Sequence, residues 1–530
     1  MDYDIIKQSS FSRKGIFLCL LSIGVIGLLV RLYFEPATVL TGDATNYFAY
    51  AVDTGLKGKL SDVYFLANSG WSLLLSAFFS MTKYDDPLFL MELQRSLSIF
   101  ISVATIIPIY SLCRRFFNQS YSLIGASLFL FQPHIIINSS LGITEPIFLF
   151  LGISSLTLFL SNNHKIIYVS FAVAGLFTLI RYEGLLFFAM LSIMFFVKYR
   201  NEKRYFLRYP LVLVIYVLVL LPVAYSNFET HERDGFVSEL FDTNSMYYQL
   251  IIEGKPDVGD PLYGDASSAN IQNFLTTGIK NTIWFSGIAS IPIFIFLVPI
   301  GIILVIKNKN NLKIDFKIVT VILISITMLI PAFYAYARGS DDVRFLFMVF
   351  PLLVLISLYG VSKLKMKNYH FIMVGITTAI VLTSFLYLDF KNEMDIDYEN
   401  EVFLITKFIA SKTSLINDNS ADIDYRTAAT IVTYWPNLPT PTSESHIERS
   451  LKLISPVGHN SLIEFVDLSK DKGLTHLAVD GRDHQPEFLR DVFYHDEKYA
   501  YLKIIYDSSE LGMKYHVKIY EIDFVKMYEN

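Results

Sequence analysis

The chain has 530 residues, of which 53% are hydrophobic, 15% aromatic and only 18% charged, with a mean hydropathy of +0.43. That composition excludes an ordinary soluble globular protein and marks an integral membrane protein. A net charge of −5 and a pI near 6.1 exclude a nucleic-acid-binding face, which needs a basic excess.

In chain order, apolar stretches predict about eleven transmembrane helices. They lie at roughly 15–34, 93–113, 119–138, 143–160, 166–180, 184–197, 209–227, 283–306, 315–336, 343–362 and 370–389. The first has no small-residue cleavage signature and is followed by Arg31, Tyr33 and Glu35, so it reads as a retained helix. The loops carrying Lys7, Arg13 and Lys14; Arg114 and Arg115; Lys165; Lys198 to Arg208; Lys307 to Lys317; and Lys363, Lys365 and Lys367 then fall on one side. By the positive-inside rule that side is cytoplasmic. The segments at 166–180 and 184–197 are short, yet fusing them would put the basic Lys198 to Arg208 loop outside. Their junction, IRYEGLL, therefore carries Arg181 and Glu183 to the outer side.

Three outer regions follow. Glu35 to Glu92 contains TGDATNYFAYAVDTGLKGK and an apolar run, WSLLLSAFFSM, too short to cross and expected to lie in the interface. Phe228 to Lys280 is a long acidic loop (Glu229, Glu232, Asp234, Glu239, Asp242) with turn signals at Gly254, Pro256, Gly259, Pro261 and Gly264. The tail after the last span, placed outside by an odd span count, reads ENEVFLITKFIA and PEFLRDVF as helices and THLAVD, AYLKIIYD and YHVKIYEID as strands. The fold class expected is an all-α polytopic membrane domain over residues 1–390 with a C-terminal extracytoplasmic α/β domain over 391–530.

Asp43 begins a helical pattern in which Tyr47 and Tyr50 share its face, so it is either a helix cap or a presented carboxylate. Asp53 and Asp62 look like ordinary loop residues. Arg338 and Arg344 bracket Asp341 and Asp342 on a face where positive charge is scarce. Either the acids neutralise them or they clamp a phosphate bidentately. Arg181 beside Glu183 is a structural pair or a functional one. Glu145, followed by Pro146, has an adequate role as the first residue of a helix, and Glu92 and Arg95 look able to pair. His134 has no second histidine at metal spacing, and Cys19 and Cys113 near the inner face make neither a disulfide nor a thiolate site.

Taken in order, these segments resemble the GT-C superfamily of membrane glycosyltransferases, which includes protein O-mannosyltransferases and the aminoarabinose transferases of lipid A. GDATNYFAYA resembles the first-loop acidic motif. QRSLSIFISVATIIPIYSLCRRFF and SLIGASLFLFQP resemble the second and third helices, and LGITEPIFLFLGISSLTLFL the fourth. LIRYEGLLFF resembles the arginine-containing turn, and VRFLFMVFPLLVL the late arginine-aromatic-proline helix; together they cover most of residues 10–365.

The resemblance implies an inverting hexosyl- or pentosyltransferase of the cell (plasma) membrane, with its active site and tail extracytoplasmic. Its partners would be a polyprenyl- or dolichyl-phosphate-linked sugar donor, membrane lipids, and a protein, lipid or glycan acceptor. Asp43 matches the catalytic carboxylate and Arg344 the arginine on the lipid phosphate. Arg338 and Arg181 are assigned to the same phosphate, with Tyr47, Tyr50, Glu145 and Glu183 as substrate-binding candidates. No metal is obligatory where cations take its place, although a single first-loop acid, where many relatives have an adjacent pair, leaves divalent-metal use and acceptor class open. The WWD-type tail motif of oligosaccharyltransferases is absent, which disfavours en bloc glycan transfer. The alternative is a secondary transporter or flippase of a lipid-linked or anionic substrate, which predicts midplane charges and repeated halves; no repeat is visible.

Overall fold

The computed structural model describes residues 12–35, 40, 43–61, 65–82, 87–202, 204, 207–240, 271–307, 315–363, 369–391, 424–427, 452–453, 459–470, 474–480, 486–513 and 516–529. Two compact units result, one of Met1–Glu35, Leu60–Leu75 and Leu93–Asn392, the other of Pro36–Lys59, Ser76–Glu92 and Glu393–Asn530.

The first unit contains α1 (Arg13–Tyr33), most of α4 (Pro87–Ala104), α5 (Ile106–Cys113), α6 (Gln119–Leu130), α7 (Pro133–Ser139), α8 (Glu145–Phe159), α9 (His164–Ile180) and α10 (Gly184–Tyr199). It continues through α11 (Tyr209–His231), α12 (Val237–Leu240), α13 (Ile271–Ser290), α14 (Phe294–Lys307) and α15 (Phe316–Ala337). A 3-10 turn, Val343–Val349, leads into α16 (Phe350–Ser362), and α17 (Tyr369–Lys391) follows. Helix α3 (Gly70–Phe79) begins in this unit.

Six helices among the described residues are long and apolar enough to cross a membrane, or up to eight if each bent pair counts as one span, against the eleven expected. Three expected spans are helices of 15, 17 and 16 residues (α8, α9 and α10). At about 1.5 Å per residue they fall short of a hydrocarbon core of roughly 30 Å. The segment expected as one span at 283–306 is instead two helices, α13 and α14, meeting at 107°. Pro292 stands in their junction, where it lacks an N–H and disfavours helix in the residue before it. Helix α13 also starts twelve residues earlier than that expected span, at Ile271, within the stretch expected as the acidic loop. The turn signals from Gly254 to Gly264 and Asp242 lie outside the described residues, as do Asp62 and ENEVFLITKFIA.

Breaking helices in an apolar body frees carbonyls that water cannot reach, and buried side chains bond them. The break between α6 and α7, bent by 55°, exposes Leu130 O, which accepts from Arg31 Nη2 at 3.1 Å. Arg31 is fully buried on α1 and also donates to Gly27 O, Ser102 Oγ and Ser139 Oγ at 3.0 to 3.3 Å. Gln132 and His134, at the α6–α7 break, reach the other break: Gln132 Nε2 donates to Ala289 O at 2.7 Å, and His134 Nε2 lies 3.1 Å from Ile288 O. The loop after α7 is held in the same way. Ser98 Oγ donates to Ser139 O (2.8 Å), Arg95 Nε to Ser140 O (3.0 Å), and both Gln94 Nε2 (2.8 Å) and Trp71 Nε1 (3.0 Å) to Gly142 O. Arg95 also stands 3.9 Å from Glu35, not in the pairing with Glu92 that the sequence suggested. Gly142 takes φ = 76°, a conformation that glycine adopts without strain.

The apolar run WSLLLSAFFSM, expected in the interface, folds as α3, and Trp71, Leu75 and Phe79 on it are fully buried in protein. Gly70 opens this helix where a Cβ would come within 2.4 Å of Leu179 O, so the close approach to the end of α9 requires glycine there.

The second unit contains α2 (Asp43–Lys57) and a five-stranded sheet of β1 (Asp424–Thr427), β2 (Lys452–Leu453), β3 (Leu474–Asp480), β4 (Leu502–Asp507) and β5 (Val517–Ile522), in the order β2-β1-β3-β5-β4. Strands β1 and β2, and β1 and β3, pair in parallel, whereas β5 runs antiparallel to β3 and β4. Leu462, Phe465 and Val466 of α18 (Leu462–Lys470) and Leu489, Val492 and Phe493 of α19 (Glu487–Tyr494) pack with Leu477, Val479 and Tyr520 of the sheet. These elements match the helix at PEFLRDVF and the strands at THLAVD, AYLKIIYD and YHVKIYEID.

Two predictions follow from these contacts. Arg31→Met removes a buried donor set and strands Leu130 O, so unfolding in detergent should lose about 2–4 kcal/mol, read as a lowered thermal midpoint. In the sheet unit, partial burial pushes the Asp496 carboxyl up, but hydrogen bonds from Lys518 (3.0 Å) and Tyr520 (2.9 Å) outweigh it and hold its pKa below the ordinary value. A depressed folded pKa gives stability that is present above the ordinary carboxylate value and lost as pH falls through the folded one. Hydrogen exchange of peptides within 486–522 in the full chain should therefore accelerate on acidification below about pH 4, and Asp496→Asn should flatten that dependence.

Candidate functional site

Three breaks in the helical body bring charged side chains together. At the end of α9, Arg181 takes extended backbone (φ −150°, ψ 127°), and the chain re-enters helix at Gly184. The charge pattern required such a break. The turn is tied down by Asn68, whose Oδ1 accepts from Tyr182 N at 3.3 Å. Glu145 opens α8 directly after the loop pinned by Gln94, Arg95, Ser98 and Trp71, and Pro146 follows it in the first turn. The 3-10 turn starts at Asp342, whose Oδ1 accepts from Arg344 N at 2.9 Å, while Tyr336 OH donates to Asp342 O at 3.0 Å.

Glu145 is the shared partner. Its carboxylate is 3% exposed, and Oε1 lies 2.8 Å from Arg181 Nη1 and 3.8 Å from Arg344 Nε. Glu183 takes the other edge of the Arg181 guanidinium, with Nη2 at 2.7 Å and Nε at 3.2 Å from Oε1. Arg344 lies 3.0 Å from Asp342 Oδ2, and Asp342 is 45% exposed where Glu183 is 12%. Two rings wall the cations: Arg181 sits over Phe148 and Phe345, at 5.5 and 5.9 Å, and Arg344 over Phe345 at 5.5 Å. Glu145, Phe148, Arg181, Glu183, Arg344 and Phe345, with Met328, Pro331, Ala332 and Met348, line a cleft holding about 330 Å³ of empty space, part of it open. One wall is charged and the other is aliphatic.

The structure thus brings Arg181, Glu183, Glu145 and Arg344 together. Arg338 ends α15 half-buried, its guanidinium over the Tyr334 ring at 5.6 Å, and is not among the residues lining the cleft. Asp43, Tyr47 and Tyr50 belong to α2 of the other unit. Asp43 is exposed in the first turn, where a carboxylate is favoured by the helix dipole, while Tyr47 and Tyr50 are buried. Burial, and then the nearby Asp53 carboxylate, push the Tyr50 phenol up to about 12, so it remains neutral. Asp53 is not the loop residue its surroundings suggested: it is 1% exposed within α2, 3.1 Å from Lys57 Nζ. Among the described residues, no group of three His, Cys, Asp or Glu side chains is placed to hold a metal ion.

The sequence offered Glu145 as a helix-opening residue and a substrate-binding candidate, not as the shared partner of two arginines, and gave no role to Gln94, Ser98 and Trp71, which fix the loop before it. The only signal for the first two was their i, i+4 spacing on one face of a span.

No family model and no curated relative matches the sequence. Among solved structures, the chain is similar to the Archaeoglobus fulgidus oligosaccharyltransferase in complex with Zn and sulfate, with a TM-score of 0.55 and 13% identity over 87% of this chain and 68% of that one. It is similar to the archaeal oligosaccharyltransferase AglB from the same organism, in complex with an inhibitory peptide and a dolichol-phosphate, with a TM-score of 0.54 and 12% identity over 87% and 69%. ArnT from Cupriavidus metallidurans, bound to undecaprenyl phosphate, matches with a TM-score of 0.53 and 8% identity over 96% of this chain and 98% of that one. At such identities the likeness is one of fold: this chain has the fold that these oligosaccharyltransferases and ArnT share.

Proposed function

We propose that this protein is an inverting glycosyltransferase that moves a monosaccharide from a polyprenyl- or dolichyl-phosphate donor to an acceptor hydroxyl on the outer membrane face. The observation that carries the reading is the cleft in which Arg344 and Arg181 flank Glu145 beside an aliphatic wall. A charged end joined to an apolar one suits a phosphate carried on a hydrocarbon chain. AglB with dolichol-phosphate and ArnT with undecaprenyl phosphate give the same ligand class on the same fold.

In this mechanism Asp43, assigned by the resemblance of the first-loop segment, accepts the proton of the acceptor hydroxyl as that oxygen attacks the anomeric carbon. The lipid phosphate leaves from the opposite face, so the configuration inverts. A positioned base contributes about 10²- to 10⁴-fold. Arg344 stabilises charge growing on the departing phosphate, an electrostatic contribution that is larger away from water. Arg181, held on two edges by carboxylates, fixes Glu145 in the wall against which Arg344 rests.

Charge balance adds a requirement. Around the cleft two guanidiniums face three carboxylates, Glu145, Glu183 and Asp342, so an incoming phosphate meets a net negative surface. Like charges about 4–5 Å apart repel by roughly 3–4 kcal/mol at an effective dielectric near 20. Glu145 is buried and Glu183 half-buried against Arg181; Asp342 is the exposed one, and it is the group that yields its place on Arg344.

The deciding measurement is release of labelled sugar from a panel of polyprenyl-phosphate monosaccharides by membranes containing the chain, with cell extract as acceptor. Release should vanish in Asp43→Asn while the protein stays folded; absence of release from every donor by the folded wild type would move the assignment to the transporter reading. Arg344→Lys, which keeps the charge but loses the planar fork, should lower transfer about 10- to 100-fold. Asp342→Asn keeps a good helix-capping side chain and removes the competing anion, so polyprenyl phosphate should bind about tenfold more tightly; unchanged or weaker binding would contradict the displacement step.

A further inference from the structure

At the end of the helical body that carries the basic loops, cations gather around the last turn of α8. Lys198 Nζ, on α10, donates to Phe159 O at 2.8 Å and to Ser161 O at 2.7 Å. Arg115 Nη2, just past α5, donates to Thr157 O at 3.3 Å. The Lys198 ammonium lies 5.9 Å from the ring of Phe316, the residue before Lys317 on α15, and the fields of both Arg115 and Lys317 reach it. Lys198 and Arg115 thus share the last turn of α8, and Lys317, from a third part of the chain, is near enough for its charge to act on Lys198.

Among the described residues, no carboxylate lies within ion-pair distance of Arg115, Lys198 or Lys317; Glu202 acts on Lys198 only from farther away. Phe159 O and Ser161 O use two of the Lys198 donors and Thr157 O one of the Arg115 donors, and among the described residues no hydrogen bond takes those of Lys317. Helices α10 and α15 pack together, and apolar side chains stay exposed along them: Ile193 (54%) and Val197 (45%) on α10, Ile322 (36%) and Ile326 (53%) on α15. A surface that is apolar along two helices and cationic at their end matches a molecule with acyl chains and an anionic head.

We propose that Arg115, Lys198 and Lys317 form a binding site for the phosphate headgroup of an anionic phospholipid, whose acyl chains run along the exposed α10 and α15 side chains. Each cation near such a headgroup favours it over a neutral one by about fivefold, and basic pockets between helices at the cytoplasmic surface are suited to this. The site is independent of the transfer reaction, because none of its residues lines the Glu145 cleft.

The test uses the full chain purified in detergent and titrated with phosphatidylglycerol or phosphatidylcholine, with retained lipid counted by native mass spectrometry. Wild type should prefer phosphatidylglycerol, Lys317→Gln should lose about fivefold of that preference, and Arg115→Gln with Lys317→Gln about thirtyfold. Lys317 makes no structural hydrogen bond, so the single variant keeps the caps on α8, and Lys317→Arg should restore the preference. Equal retention of both lipids by wild type, or an undiminished preference in Lys317→Gln, would overturn the site. So would glycerol phosphate binding as tightly as the lipid, since the acyl chains would then add nothing.

Discussion

A carbonyl left open by a broken helix, inside a body that admits little water, must find a donor or cost several kilocalories per mole. Among the described residues the first unit has two bent helix pairs, and buried or half-buried polar side chains bond carbonyls beside them: Arg31 to Leu130 O, Gln132 to Ala289 O, His134 to Ile288 O. The same requirement shapes the loop after α7, where side chains of α3 and α4 bond the carbonyls of Ser139, Ser140 and Gly142. That loop ends at Glu145. The position of the shared carboxylate therefore depends on contacts made well away from the cleft.

From Glu145 the electrostatics spread outward. A buried carboxylate is tolerable only when paired, and here two guanidiniums, delivered by the α9–α10 break and by the 3-10 turn, approach the same oxygen. Each guanidinium has a second acid, but the two acids differ in kind. Glu183 is half-buried and belongs to the frame of Arg181, whereas Asp342 faces water and both caps the 3-10 turn and rests on Arg344. One cation is thus fixed and the other held by a group able to leave it.

The helical breaks matter as much as the helices. Short segments α8, α9 and α10 meet at the polar end of the cleft, and a continuous perpendicular helix through 180–184 would carry Arg181 past Glu145 rather than turn it back. The opposite end of the unit handles surplus charge differently. There Lys198 and Arg115 cap the last turn of α8, and among the described residues no carboxylate pairs with them.

Much of this was legible in the sequence. Apolar runs located the helical segments, the alternation of basic loops demanded the break at IRYEGLL, and period-two patterns found β3, β4 and β5, because each signal is local: a run length, a charge, an alternation. The order of motifs pointed to the fold that the solved oligosaccharyltransferase and ArnT structures have. Local signals could not show that α13 and α14 turn by 107°, that Asp53 is buried, or that Arg31 sits inside the protein rather than flanking it. Composition and periodicity determined that this chain is a bundle of apolar helices with a small α/β unit. Only tertiary structure decided that Glu145 would hold Arg181, 36 residues away, and Arg344, 199 residues away, because a buried charge takes its role from whichever partners folding places beside it.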